Sequence, residues 1–339
     1  GGMGVGISMA NLAAAVANCG GVGVISGVET GFYRRDYLRN KRRANLEALV
    51  EQIKKAREQS PRGILGVNIM VAINNFEETV REAVRSGISI IFSGAGLPLQ
   101  LPKLTKDSDV KLAPIVSSSR AAALICKHWE KKHGRFADAV VVEGPKAGGH
   151  LGFSQAELEH SEDYALEKLV PEVVTAVKPF EDKCGRSIPV IAAGGIWTGQ
   201  DISRMLRLGA AGVQMATRFV ATYECDASPA FKEEYLRAEP DDITLIKSPV
   251  GMIGRAIKNA FLERVAAGES KPIRCAYNCL RPCKPKESPY CIAAALIHAQ
   301  RGELGQGFAF AGVNAWRAHK LQSVREIIQE LKEQLLQEP

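Results

Sequence analysis

The run VVEGPKAGGHLGFSQ, residues 141–155, sets His150 among Gly144, Gly148, Gly149 and Gly152. An imidazole with an ordinary pKa near ~6.5 gives or takes a proton at working pH. Glycine lets backbone come close to a ligand and adopt positive φ. Together these residue types suit a flat aromatic ring lying against bare backbone, with His150 facing it. A lone histidine more often ends up as a satisfied core or loop residue. Its place in a glycine-rich loop after the strand-like ADAVVVEG favours chemistry, and Glu143 opens that same loop.

Small and polar residues also close other apolar runs: Gly2-Met3, Asn68, Ser93 to Gly96, Ser117 to Ser119, Gly194-Gly195 and Ala216-Thr217. One such end would be turn chemistry, whereas a series of them suggests a broad ligand across one face. Bare backbone at Gly194, Gly195, Ala216 and Thr217 can aim N–H groups at a phosphate, and the helix expected from Gly199 would add a favourable dipole.

The elements that must position these groups are short β-rich runs alternating with amphipathic stretches. Seven strands are expected within residues 21–26, 63–71, 87–96, 111–119, 137–144, 187–196 and 211–219, and the opening GGMGVGISMANLAAAVANCGG reads as the end of an eighth followed by its helix. Runs apolar on both faces suit parallel strands covered by helices. Eight such units make a TIM barrel, with its site at the C-terminal strand ends; a doubly wound open sheet is the alternative. With almost no strand before the first turn, either strand one is very short or residues precede Gly1. The barrel is expected over 1–240. A lid or small substrate domain is expected over 241–315, with a loop and helix at 248–268, and a capped terminal helix within 316–339 packing back on the barrel. Ser323 and Glu326 are spaced as its capping box.

At 339 residues, 46% apolar and 24% charged, the chain has the make-up of a soluble globular protein. No apolar run approaches the ~20 residues of a membrane span, and no leader is evident, so a cytoplasmic location is expected and a membrane role is not. The net charge of +7 could attract anionic substrates, a nucleotide or an acidic acyl carrier, or could simply be a solvated surface. No basic helix or aromatic-basic interleave points to nucleic acid. Oligomeric state is not readable, and a homodimer is one option.

Cys275, Cys279, Cys283 and Cys291 crowd into CAYNCLRPCKPKESPYC with gaps of three, three and seven residues. That matches neither the usual ferredoxin run nor paired zinc motifs. The four thiols could ligate an iron–sulfur cluster or Zn²⁺, or remain reduced in a lid. Lys271, Arg274, Arg281, Lys284 and Lys286 around them could meet a nucleotide phosphate or acidic carrier, or be solvated charges.

The motifs GGMG, GVNIM, FSGAGLP, EGPKAGGHLG, IPVIAAGGI and GVQMATRF, in order over roughly residues 1–260, resemble the nitronate monooxygenase (2-nitropropane dioxygenase) family, including its FMN-dependent type II enoyl-ACP reductase branch. The resemblance implies a TIM barrel with non-covalent FMN. The backbone of Gly2 and Met3 and the Asn68 side chain would contact the flavin, alongside Glu143, Gly148 and Gly149. Gly194, Gly195, Ala216 and Thr217 would hold its phosphate, and His150 would handle a substrate proton. Two positions depart from the pattern: Ala216 replaces a frequent glycine, and Lys146 replaces a frequent glutamate.

Two reactions follow from the resemblance. NAD(P)H could reduce FMN for hydride transfer to an enoyl thioester or similar activated alkene. Alternatively, a nitroalkane or nitronate could be oxidised with O2. Glu143 at the head of the loop, the segment SPVGMIGRAIKN and the cysteine cluster lean toward the reductase. A flavin-binding protein without turnover is a third reading. A flavin-free barrel acting on a sugar phosphate would need more charged groups at strand ends than Glu143 and Lys146.

Overall fold

The computed structural model describes residues 1–337 except 271, 272, 274 and 276. Seven parallel strands appear where expected: β1 (Val22–Ser26), β2 (Ile64–Asn68), β3 (Ile90–Ser93), β4 (Lys111–Val116), β5 (Val140–Glu143), β7 (Val190–Ala193) and β8 (Gly212–Gln214), hydrogen-bonded in the order β1-β2-β3-β4-β5-β7-β8. They form a TIM barrel. Residues 1–8 bridge its ends: the Gly1 amino group donates to the Met215 carbonyl at 2.5 Å, and the Ser26 N–H donates to the Ser8 carbonyl at 2.9 Å. The expected eighth strand is not formed here. The glycine-rich GGMGVG folds on itself instead, with the Ser8 N–H on the Met3 carbonyl and the Met3 N–H on the Ser8 hydroxyl.

The period of two along each strand decides what faces the mouth. Ile25, Leu65, Val67, Ile91, Leu112, Val140 and Val142 pack outward in the large core beneath the helices, while Val24, Phe92, Ala113, Val141 and Ala193 form a separate cluster inside the barrel. Continuing the alternation turns Asn68, Glu143 and Gln214 inward at the C-terminal ends of β2, β5 and β8. Close helix–strand packing needs bare positions too: a Cβ on Gly23 would lie 1.9 Å from the Ala13 carbonyl oxygen.

Beyond the barrel, the expected loop over 248–259 is corrected. Strands β9 (Ile243–Lys247) and β10 (Ile253–Ile257) form an antiparallel hairpin, turned at Ser248 to Gly251, where Gly251 takes φ of 79°. Both strands are short and β9 is partly exposed, so neither has the long apolar run that marks a barrel strand. The expected helix does follow (Ala260–Ala266). On its other side β10 pairs with β6, which is only Gly149–His150. The presumed loop around His150 is therefore held as sheet.

The terminal helix Val324–Leu336 carries the Ser323–Glu326 capping box and packs on the helix Gly199–Arg207, whose Gly199 N–H donates to Gln334 Oε1 at 2.8 Å. Among the described residues no helix is long and apolar enough to cross a membrane.

Candidate active site

Two adjoining cavities open at the C-terminal ends of the barrel strands. The larger, about 270 Å³, is lined by Gly2, Met3, Asn68, Glu143, Gly148, Gly149, His150, Ala216 and Thr217, with Phe310 and Gln214 among other residues. The smaller, about 70 Å³, is lined by Gly148, Gly194, Gly195, Ala216 and Thr217, together with Gly312 to Asn314. Glu143 lies on the wall of both. Every candidate residue of the catalytic and cofactor set thus lines one or both cavities.

His150 is fixed from three directions. Its backbone pairs with Gly254 of β10. Its Nε2 lies 2.7 Å from the Ser248 hydroxyl, at the start of the hairpin turn. Its ring meets Phe310 edge to face, with centroids 5.0 Å apart. Burial pushes its pKa down to about 4, because a desolvated imidazolium is costly. The ring is neutral at physiological pH. Burial acts oppositely on Glu143, raising its carboxyl to about 7, so of the two it is the carboxyl that changes charge near neutrality.

The loop between these groups is held from below. The Nη1 of buried Arg255 donates to the Pro145 carbonyl at 2.5 Å and the Ala147 carbonyl at 2.7 Å. Burial lowers its pKa to about 10, well above physiological pH. Arg255 is a cation spent on positioning the 145–147 turn.

The smaller cavity depends on backbone shape. Gly194 and Gly195 take φ of 97° and 82°, where L side chains are strained. A Cβ on Gly195 would lie 2.8 Å from the Lys146 Cβ. The Thr217 hydroxyl accepts from the Gly312 N–H at 3.0 Å, and Asn314 Nδ2 donates to the Gly195 carbonyl at 2.7 Å. The segment after residue 305 therefore closes the far wall.

Some expected contacts are corrected. The helix Gly199–Arg207 does not offer an open N-terminus: Asp201 accepts from the Trp197 and Thr198 N–H groups, and Gly199 is taken by Gln334. Self-capping has used the donors a phosphate would need. The Met3 N–H is likewise held by Ser8, which leaves Gly2 as the open backbone of that pair. Gly148 is bare because the chain at Ala311–Gly312 runs 2.5 Å from where its Cβ would be. At Gly149, φ is 78° and the Cβ position is clear. The open face needed by a flat ring is therefore at Gly149.

Ser248, Arg255, Phe310, Gly312 and Asn314 were not singled out in the sequence. The glycine-rich GELGQGFAFAG marked a lid, but nothing in its spacing assigned Phe310 to His150. Among the cysteines, Cys279 reaches the larger cavity, and all four line a third one. Lys271 and Arg274 lie outside the described residues. Arg281, Lys284 and Lys286 are exposed, and Lys284 pairs with Glu287 at 3.1 Å, as solvated charges do.

The nitronate monooxygenase family model matches residues 1–334. The chain belongs to the nitronate monooxygenase family. The family assignment agrees with the motif resemblance and covers the barrel and all that follows it. A curated relative from Mycobacterium tuberculosis, (3aS,4S,5R,7aS)-5-hydroxy-7a-methyl-1-oxo-octahydro-1H-indene-4-carboxyl-CoA dehydrogenase, is 28% identical over 77% of this chain and 63% of its own length. A probable nitronate monooxygenase from Staphylococcus aureus is 31% identical over 51% of this chain and 45% of its own. The chain thus spans less than two thirds of these relatives. Among solved structures, FabK from Thermotoga maritima superposes with a TM-score of 0.76 at 26% identity, covering 99% of this chain and 91% of that one. Nitroalkane oxidase from Streptomyces ansochromogenes shares the fold, with a TM-score of 0.73 at 20% identity, covering 99% and 94%. These names are those of oxidoreductases and of a family enzyme class, and the chain is an oxidoreductase of this family.

Proposed function

We propose that this chain is an FMN-dependent oxidoreductase that uses NAD(P)H to reduce the carbon–carbon double bond of an enoyl thioester or similar activated alkene. The observation that carries the proposal is a continuous wall. His150 and the clear face of Gly149 line the larger cavity, and the bare turns at Gly194 and Gly195 line the smaller one beside it. A planar ring against Gly149 and Asn68, with its phosphate near Gly195, Ala216 and Thr217, fits those two spaces. Bound there, FMN supplies the hydride.

The chain's own residues do the rest. With Ser248 donating to Nε2, the neutral His150 carries its proton on Nδ1 and can donate it to a thioester carbonyl oxygen. That interaction draws charge from the alkene and favours hydride addition at its β-carbon. Glu143 keeps its proton up to about pH 7, so near neutrality it presents an O–H donor or a carboxylate to whatever lies over β5. Apolar Val5, Val28, Met70, Leu280 and Leu296 line the same cavity, consistent with an acyl chain. The thioester reading is supported by the coenzyme A thioester in the name of the Mycobacterium tuberculosis relative. The surplus positive charge suits the phosphates of such a carrier or an acidic acyl carrier protein.

A second reading is nitronate oxidation with O2, favoured by the Staphylococcus aureus relative's name and by the neutral imidazole, whose bare nitrogen can take a proton from carbon. Anaerobic reduction with NADH or NADPH, followed by mixing with crotonyl thioester, quinone or nitronate, separates them. Reoxidation by the thioester is the expected result. Rapid flavin reduction by a nitronate without nicotinamide would replace the reductase with the monooxygenase.

A further inference from the structure

The cysteines that the proposed reaction leaves unused share one cavity. Cys275, Cys279, Cys283 and Cys291 all line an enclosed space of about 70 Å³, separate from the two cavities at the barrel mouth. We propose that this space is the binding site of an iron–sulfur cluster ligated by those four thiolates.

The fold brings the four together through contacts that lie outside the motif. The Asn74 N–H donates to the Cys279 carbonyl at 3.0 Å, and the Arg281 N–H donates to the Ala72 carbonyl at 2.9 Å. These bonds pin the middle of the segment to the turn that follows β2. Asn74 Nδ2 adds a bond to the Asn278 carbonyl at 2.7 Å. At the far end, Cys291 is the N-cap residue of the helix Ile292–Gln300. The N–H groups of Ala293 and Ala294 point at its sulfur and favour the thiolate, although burial on balance raises its pKa. Such N–H···S bonds favour a ligating thiolate.

A cation stands close by. Lys41 Nζ donates to the Tyr277 carbonyl at 2.5 Å and pairs with buried Glu29 at 2.8 Å. Its charge acts on Cys279 and Cys291 in the direction of ionisation. All four thiols are free of disulfides, so each is available as a ligand.

The size of the space selects the ligand. Four thiolates on one Zn²⁺, with bonds of ~2.3 Å, close around the ion and leave no void between them. Here the thiols stand back from a common space several times the roughly 10–15 Å³ that one water needs. Among the described residues, no three His, Cys, Asp or Glu side chains converge on a single-ion point. A polynuclear iron–sulfur core fills such a space and takes four cysteine ligands. Loading replaces four S–H bonds with four Fe–S bonds and releases four protons to solvent. Iron and sulfide come from the assembling donor, and no thiol is oxidised.

Cys279, Leu280 and Ile292 line this space and the larger active-site cavity alike. The cluster would sit one layer of side chains from the reacting groups, and it would tie the lid segment to the barrel.

The test is anaerobic purification of the full chain with assay of iron, acid-labile sulfide and zinc, before and after reconstitution with ferrous iron and sulfide. Iron and sulfide in equal amounts, with an electron paramagnetic resonance signal on reduction, are expected. Cys275→Ser, at an exposed position, should fold as wild type by circular dichroism and lose most of the iron. Cys126→Ser, buried elsewhere, should keep it. Zinc without sulfide, no bound metal after reconstitution, or full iron content in both Cys275→Ser and Cys283→Ser would each overturn the proposal. Flavin content is measured separately, so loss of the cluster is distinguishable from failure of the flavin site.

Discussion

The His150 imidazole and the Ser248 hydroxyl lie 2.7 Å apart, although 98 positions separate them in the chain. The hydroxyl engages one ring nitrogen and leaves the other to the cavity. Ser248→Ala removes a hydrogen bond worth about 1 kcal/mol. Steady-state kinetics should show kcat/KM falling roughly five- to tenfold, with flavin retained. His150→Ala should lower turnover by about 10²–10⁴-fold. Wild-type rates in the second variant would remove the imidazole from the mechanism.

Folding stability should respond to pH at two sites with opposite signs. Glu143 is raised from 4.5 to about 7, so between those values the folded chain holds a proton that the unfolded chain has lost. Its contribution falls as pH rises through that window and is level above it. His150 is lowered from 6.5 to about 4. There the unfolded chain binds the proton first, and stability rises with pH across about 4 to 6.5. Urea unfolding of the ligand-free protein should show Glu143→Gln gaining on wild type up to about pH 7. His150→Gln should gain on wild type toward acid. Parallel curves for either variant would contradict the assigned shift.

The Gly195 turn is strained for any side chain. Gly195→Ala should cost about 1–3 kcal/mol and weaken FMN retention. Gly134→Ala is the control, because Gly134 also has positive φ, at 59°, but has open space around it. Its unfolding midpoint should drop while FMN affinity stays unchanged. Equal flavin loss in both variants would point to global stability rather than the cradle.

Arg255→Met should leave the Pro145 and Ala147 carbonyls without their donor, costing about 2–5 kcal/mol for two buried acceptors. Arg255→Lys should recover part of that in urea unfolding. If Arg255→Met is as stable as wild type, water or a shifted loop is satisfying those carbonyls.

The barrel was legible in the sequence because each parallel strand is short, apolar on both faces and ended by small residues. The expected runs contain β1, β2, β3, β4, β5, β7 and β8. The capping box at Ser323 and Glu326 was legible for a similarly local reason, since a side chain and an N–H three residues apart find each other without the rest of the fold. The candidate residues His150, Glu143, Gly194 and Gly195 stood out because residue types that are costly or awkward in a strand or turn signal a site.

Tertiary structure alone decided the rest. It built the β9–β10 hairpin, gave His150 its sheet partner, and brought Ser248 and Phe310 to the ring. It also turned the Gly199 helix inward on its own caps, and gathered four cysteines around one space. Local periodicity reports which face of an element is apolar. It carries no information about which distant segment will cover that face. Contacts such as Arg255 to Pro145, 110 positions apart, form only when the barrel has closed and burial has made each polar group find a partner.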